Sequence, residues 1–237
     1  MILDNICLLA ADTTRTKAYL DKMIKEKILP RHCIVYTDDI NKIKDELLLN
    51  HTDKKNKYFN EKKPLLLLLE EAGISYEIIP TRDINSEKML ETLKSISMKY
   101  IIYSGYGGQI LKNKLFDIEK KYIHVHAGIL PEYRGSTTAY YSILEKEYIG
   151  ASAIFLNKNI DEGDLITCCT FSLPINTIDI DLIYEPYIRS IVLIKALKLY
   201  IQNNKFPTTK QREENAKTYF VIHPVLKHLA IMKCPDE

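Results

Sequence analysis

The sequence predicts an α/β protein, a doubly wound and mostly parallel sheet with a short C-terminal extension. Three observations carry this. Aliphatic segments alternate with segments of helical spacing up to about Gly163; some of the aliphatic segments are continuously apolar, as strands buried on both faces are; and 237 residues, 46% hydrophobic and 27% charged, suit one domain with an appendage.

Taken in order, Ile6 to Ala10 reads as a strand, Thr14 to Lys27 as a helix and Cys33 to Tyr36 as a strand, a βαβ beginning. The polar stretch Asn50 to Lys63, with Lys54-Lys55-Asn56-Lys57, reads as a solvated loop or helix face. The leucine run from Pro64 to Leu69 is helix core, and it stops at Glu70 and Glu71, far short of the ~20 apolar residues that span a bilayer. Tyr76 to Ile79, closed by Pro80, is a strand. Ser86 to Met98 has helical spacing through Met89, Leu90, Leu93 and Ile96, and leads into the buried strand Tyr100 to Tyr103. Ile118 to His126 and Ala151 to Leu156 are the fifth and sixth strands, and the sixth hands over to the loop Asn157 to Gly163. The alternation stops there. Ile178 to Gln202 reads as one long helix, and Pro207 opens a terminal segment. The expected division is therefore a main domain over 1–203 with residues 204–237 packed on it.

A net charge of +2 gives no electrostatic reason to expect nucleic acid. No basic segment precedes an apolar stretch at Met1 to Asn5, so neither a secretory leader nor a membrane partner is expected, and the reading is cytoplasmic. The cysteines, Cys7, Cys33, Cys168, Cys169 and Cys234, are odd in number and show no CxxC spacing; they read as reduced thiols, with Cys7 and Cys33 in buried strands. Ala10-Ala11-Asp12-Thr13-Thr14 stands where a GxGxxG would follow the first strand, which excludes an ordinary dinucleotide fold. A ligand is still expected at the carboxyl ends of the strands.

The most informative stretch is His124-Val125-His126-Ala127-Gly128-Ile129-Leu130-Pro131-Glu132-Tyr133-Arg134-Gly135. Two histidines two apart on a strand point to one face, and imidazole changes protonation near neutral pH, so either can serve as acid or base. Taken alone, the pair is equally a metal pair or two structural histidines. Downstream lies Asn159-Ile160-Asp161-Glu162-Gly163-Asp164-Leu165-Ile166, a loop whose Asp161, brought to a histidine, makes an oriented and charge-stabilised base.

These segments resemble the signature of the folate-dependent formyltransferases, the family of glycinamide ribonucleotide transformylase, methionyl-tRNA formyltransferase and the sugar-nucleotide N-formyltransferases. The pattern is Asn-x-His, two small residues, Leu-Leu-Pro-x-Tyr-Arg-Gly, then Asp-x-Gly-x-Ile. Upstream, Tyr106-Gly107-Gly108-Gln109-Ile110-Leu111 is similar to the family's folate-binding loop with one extra glycine. The resemblance runs from about Tyr100 to Lys198.

It implies catalytic roles for His126 and Asp161, with His124 standing where the family has asparagine. It implies folate contacts at Tyr106, Gly107, Gln109, Ile110, Leu111, Ile160, Glu162 and Gly163. The co-substrate implied is 10-formyltetrahydrofolate, the reaction direct acyl transfer to an amine, and no metal is called for. Arg134 reads either as pairing with Glu132 or a carbonyl, or as substrate contact. Arg15, beside Thr13 and Thr14 in the first βα loop, is the candidate for a substrate phosphate, with helix capping the alternative for the threonines. By elimination among family members the expected acceptor is a nucleotide-linked amino sugar, and a homodimer is left open. The alternatives are formyltetrahydrofolate hydrolysis, transfer to another small amine such as glycinamide ribonucleotide, and a non-catalytic folate-binding relative.

Overall fold

The computed structural model describes residues 1–48 and 56–236, arranged as two compact units, 1–123 and 124–237. The first part of the polar stretch, Asn50 to Lys55, lies outside the described residues, as does His51. From Asn56 the chain is ordered by an Asx turn, the Asn56 side chain accepting from the backbone N–H groups of Tyr58 and Phe59 at 2.7 and 2.9 Å, with Phe59 buried beneath it.

The first unit runs β1 (Ile2–Ala10), α1 (Thr14–Lys25), β2 (Leu29–Thr37), α2 (Ile40–Asp45), a 3-10 turn (Glu46–Leu48), α3 (Leu65–Glu71), β3 (Ser75–Pro80), α4 (Glu87–Ser95), β4 (Tyr100–Ser104), α5 (Asn113–Phe116) and the start of β5 (Lys121–His126). Its strands are parallel in the order β3-β2-β1-β4-β5, with Leu8 beside both Cys33 and Ile102. Ile6 to Ala10 are wholly buried, as a central parallel strand covered on both faces requires. Burial pushes the Cys7 thiol up to about 12 and raises that of Cys33, so both stay protonated, inert strand residues. Thr13 caps α1 by accepting from Thr16 N at 3.2 Å, and Ser86 caps α4 by accepting from Met89 N at 3.3 Å. The strand order reverses between β1 and β4. That switch point is where an open α/β sheet offers its ligand crevice, and the loop from Gly105 to Lys112 leaves β4 there.

The second unit takes the last three residues of β5, His124 to His126, then β6 (Arg134–Gly135), α6 (Thr138–Lys146), β7 (Ile149–Phe155), β8 (Leu165–Phe171), a π-helical turn (Ile180–Tyr184), α7 (Glu185–Asn203), β9 (Thr218–Tyr219) and α8 (Pro224–Met232). β8 lies antiparallel to β7, Ser152 facing Cys168, and α7 packs over both strands. The long helix expected from Ile178 is divided: Asp179 caps a π turn, and α7 begins with Pro186 in its first turn. Proline has no N–H for the helical ladder, and a wider turn before it absorbs the missing bond. Asn204 in the left-handed conformation ends α7. Residues after it return to the unit, Thr209 bridging Leu165 and β9 pairing with β6. Among the described residues no helix is long and apolar enough to cross a membrane.

Candidate active site

β5 delivers His124 and His126 to one face at its carboxyl end. The His126 ring is buried, and its partners are fixed by the following loop. Nε2 donates to the Tyr133 carbonyl at 2.6 Å, and Thr138 Oγ1, which donates to the Ala127 carbonyl, lies 3.4 Å away. Gly128 makes this approach feasible, since a Cβ there would stand 2.8 Å from Tyr133 O and 3.0 Å from His126 Nε2. Ser152 braces the same loop, accepting from Leu130 N at 3.1 Å and donating to Gly128 O at 2.7 Å.

On the other side of the ring, Nδ1 faces Asp161 Oδ2 at 3.4 Å, and the same carboxylate oxygen accepts from Gly135 N at 2.9 Å. Asp161 is 7% exposed and holds φ at +57°, a left-handed conformation that aspartate tolerates better than most residues. Backbone strain of this kind, worth roughly 1–3 kcal/mol, persists where surrounding contacts over-determine it and is enriched at functional sites. Gly163 is one such determinant, because the loop passes so close to β7 that a Cβ would lie 1.6 Å from Phe155 O. The imidazole and carboxylate thus form an oriented pair, able to take a proton and to stabilise the resulting charge.

Arg134 is buried at the edge of this pair. Its two terminal nitrogens bond Glu213 in a fork at 3.0 Å each, Nη2 and Nε donate to Gln211 Oε1 at 3.1 and 3.4 Å, and Glu162 Oε1 stands 3.5 Å from Nη1. The guanidinium holds the Glu213 carboxyl below its usual range through that hydrogen bond and its charge. Glu162 also accepts from Asn159 Nδ2 at 2.7 Å, while Ile160 is exposed. His124 meets a residue that the sequence did not offer, Arg189 of α7. Arg189 Nη2 lies 3.4 Å from His124 Nε2 and Nη1 donates to Glu185 at 2.7 Å. Glu185 and Arg189 are an i,i+4 pair on the helix, yet Arg189 is only 6% exposed.

In the first unit, the expected folate loop is stiffened from behind. Gln109 Oε1 accepts from Tyr36 OH at 2.7 Å, and Gln109 Nε2 donates to Arg82 O at 2.6 Å. The Arg82 guanidinium lies over the Tyr106 ring at 4.4 Å. Asn85 donates to Ile110 O at 3.0 Å and accepts from Lys112 N at 2.7 Å, which leaves Ile110 projecting outward and Leu111 buried. Gly107 has no neighbour within 4 Å of where a Cβ would be. Arg15 donates to Gly105 O and, at 3.3 Å, to Ser104 Oγ, tying the start of α1 to the end of β4. A cavity of about 230 Å³ opens beside Tyr106 and Arg82, with Asp12, Thr37, Asp38 and Lys42 among its walls. Among the described residues no three His, Cys, Asp or Glu side chains gather as a metal site.

The sequence is 30% identical over 135 residues to a methionyl-tRNA formyltransferase of Finegoldia magna, covering 56% of this chain and 42% of that one. The chain therefore spans less than half the length of this curated relative. Two solved structures share the fold: a sugar 3N-formyl transferase determined in the presence of dTDP and 5-N-formyl-THF (TM-score 0.54, 19% identity, 92% of this chain and 70% of that one), and a 4-N formyltransferase from Francisella tularensis (TM-score 0.58, 16% identity, 97% and 87%). A family model described as formyl transferase matches residues 5–175, most of the chain and every segment that builds the His126–Asp161 pair. The chain belongs to the formyl transferase family.

Proposed function

We propose that this protein transfers a formyl group from 10-formyltetrahydrofolate to the amine of an amino sugar, carried on a nucleotide. The observation that carries the reading is the His126–Asp161 pair, an imidazole 3.4 Å from a buried carboxylate within the family's own motif. The amine nitrogen attacks the formyl carbon and a tetrahedral oxyanion forms. The bond from that carbon to the folate nitrogen then breaks, and the proton lost by the amine ends on the departing nitrogen. His126 moves this proton through Nε2, which exchanges the Tyr133 carbonyl for substrate, and with His124 it stabilises the oxyanion; Asp161 holds the ring from Nδ1. Each donor to an oxyanion is typically worth roughly 3–4 kcal/mol.

For folate we assign Tyr106, Gly107, Gln109, Ile110 and Leu111, together with Ile160, Glu162 and Gly163. Arg15 is assigned to the nucleotide phosphate. Arg134 is engaged by Glu213, Gln211 and Glu162 rather than by the expected Glu132, and we assign it a pairing role instead of substrate contact.

The sugar acceptor is supported by the neighbours that share the fold, among them a sugar 3N-formyl transferase solved with dTDP. The similarity to a methionyl-tRNA formyltransferase supports a second reading, with aminoacyl-tRNA as acceptor. Turnover of 10-formyltetrahydrofolate against nucleotide-linked 3-amino and 4-amino sugars, with methionyl-tRNA and glycinamide ribonucleotide alongside, separates the two. Formylation of tRNA alone overturns the sugar reading. Formate release without an acceptor marks a hydrolase, and folate binding without turnover a non-catalytic relative.

A further inference from the structure

We infer that Gln211, in the segment after α7, is a positioning residue for Asp161. The inference rests on the reading of Asp161 as catalytic, and it names the group that keeps the carboxylate where the reaction needs it. Asp161 adopts a backbone conformation that L residues rarely enter, so something outside the loop must hold it. The Gln211 carboxamide does so from 50 residues further along the chain. Its Nε2 donates to the backbone carbonyls of Asp161 and Gly163, both at 2.8 Å. Its Oε1 accepts from Arg134 Nε at 3.4 Å and Nη2 at 3.1 Å. Both amide protons and both lone-pair directions are used, so partners on the two sides fix which way the amide points.

The segment that carries Gln211 is itself anchored at both ends. Before it, Thr209 and Leu165 exchange backbone hydrogen bonds of 2.8 and 2.9 Å; after it, Arg134 N donates to Lys217 O and Ser136 N to Tyr219 O, each at 2.9 Å. Gln211 is thus the middle of a strap fastened to the same short strand, β6, whose Gly135 N–H grips the Asp161 carboxylate. The carbonyls of Asp161 and of Gly163, two residues on, are held by one side chain, and the carboxylate itself by the strand to which the strap is tied. Glutamine is required in both of its halves. Glutamate in its place keeps an acceptor for Arg134 but sets a negative oxygen against two carbonyl oxygens, leaving the loop unheld.

The test compares Gln211→Glu and Gln211→Met, the second of similar bulk with no hydrogen bonds, in the full chain. Two readouts are taken. One is hydrogen exchange at the Gly135 amide, which reports its bond to Asp161; the other is the steady-state split of kcat from KM. In both variants the Gly135 amide should exchange at least ~10-fold faster, because its acceptor is no longer held. kcat should fall at least ~10-fold with the KM for the formyl donor within about threefold, the pattern of a misplaced catalytic group. In an Asp161→Asn background, Gln211→Glu should cost little more, since there is then no carboxylate to position. Unchanged Gly135 exchange in both variants overturns the inference, and so does faster exchange with wild-type kcat in an active enzyme. If the wild-type chain transfers formyl to nothing, the functional reading falls, and the Gly135 amide alone decides whether Gln211 holds Asp161.

Discussion

One oxygen of Asp161, Oδ2, serves two partners, facing His126 Nδ1 at 3.4 Å and accepting from Gly135 N at 2.9 Å. A carboxamide at position 161 can still meet the Gly135 N–H through its oxygen, but it carries no charge to set against a protonated ring. Asp161→Asn should therefore fold normally and lose turnover by at least ~10²-fold while folate affinity stays within a few-fold, because the interaction matters in the transition state. His126→Asn should lose as much. Titration with folate and steady-state rates check both, and a wild-type rate in either variant removes the pair from the mechanism.

The loop that presents Asp161 should be intolerant at Gly163. A methyl group there meets the Phe155 carbonyl at 1.6 Å, and backbone cannot give way as a flexible side chain can. Gly163→Ala should reduce turnover at least ~10-fold and lower the melting temperature by several degrees, each kcal/mol being worth about 2–4 °C in a chain of this size. Ile160→Ala, three residues away in the same loop and 58% exposed, is the control and should leave the melting temperature unchanged. A stable, active Gly163→Ala protein would mean that the loop has another way past β7.

Much of this was legible in the sequence because it is local. The parallel strands announce themselves as continuous apolar runs such as Ile6 to Ala10, and the His-x-His and Asp-x-Gly segments carry their chemistry in consecutive residues. What escaped depends on distant parts of the chain. β8 has mixed burial, with only Ile166 fully covered, so it lacks the apolar run that marked the parallel strands. α8 buries a single residue, Ala230, and its apolar residues show no periodic polar face to betray a helix. Gln211 and Glu213 lie in the terminal segment that Pro207 opens, in a polar stretch with no motif; only the fold sets them against Arg134. Arg189 stands among other charged residues of the long helix with no motif to single it out, and only the fold sets it against His124.

Arg134 and Glu213 give the site's surroundings a pH dependence of definite sign. Hydrogen bonding to the guanidinium lowers the Glu213 carboxyl's affinity for its proton in the folded chain. A carboxyl so depressed adds stability above its unfolded pKa, about 4.3 for glutamate, and that stability is lost as pH falls through the lower folded value. Thermal unfolding followed from pH 7 to 3 should show the wild type losing more stability than Glu213→Gln over this acid range. Because Glu213 is exposed, added salt should shrink the difference. Parallel curves at low salt would mean that the pair contributes nothing to stability.

Chelation should leave turnover unchanged. The ligand atoms are engaged: His126 directs Nε2 to the Tyr133 carbonyl and Nδ1 to Asp161, while His124 Nε2 faces a guanidinium. A metal bound by the two histidines must displace these partners. Loss of activity on dialysis against a chelator, restored by zinc, is the outcome that would overturn the pairings.

His124 stands where the family's motif has asparagine, and its neighbour indicates how it takes over. Arg189 places Nη2 3.4 Å from His124 Nε2. A guanidinium has donors only, so Nε2 accepts and the proton of a neutral ring resides on Nδ1, leaving one N–H to donate. A protonated ring would instead set two cations against each other. Asparagine supplies the same pair of functions, an amide oxygen for the arginine and an N–H for an oxyanion. His124→Asn should therefore keep turnover within about 10-fold of wild type, whereas His124→Leu, which offers neither, should lose at least ~10²-fold, the scale of one oxyanion donor. The pH profile of turnover at saturating substrates completes the test. Profiles of the same shape in wild type and His124→Asn are expected, because the acceptor that Nε2 offers Arg189 is replaced by the amide oxygen. A basic limb near neutrality that is present in wild type and vanishes in His124→Asn would show the ring acting as a cation, and the tautomer read from Arg189 would then be wrong.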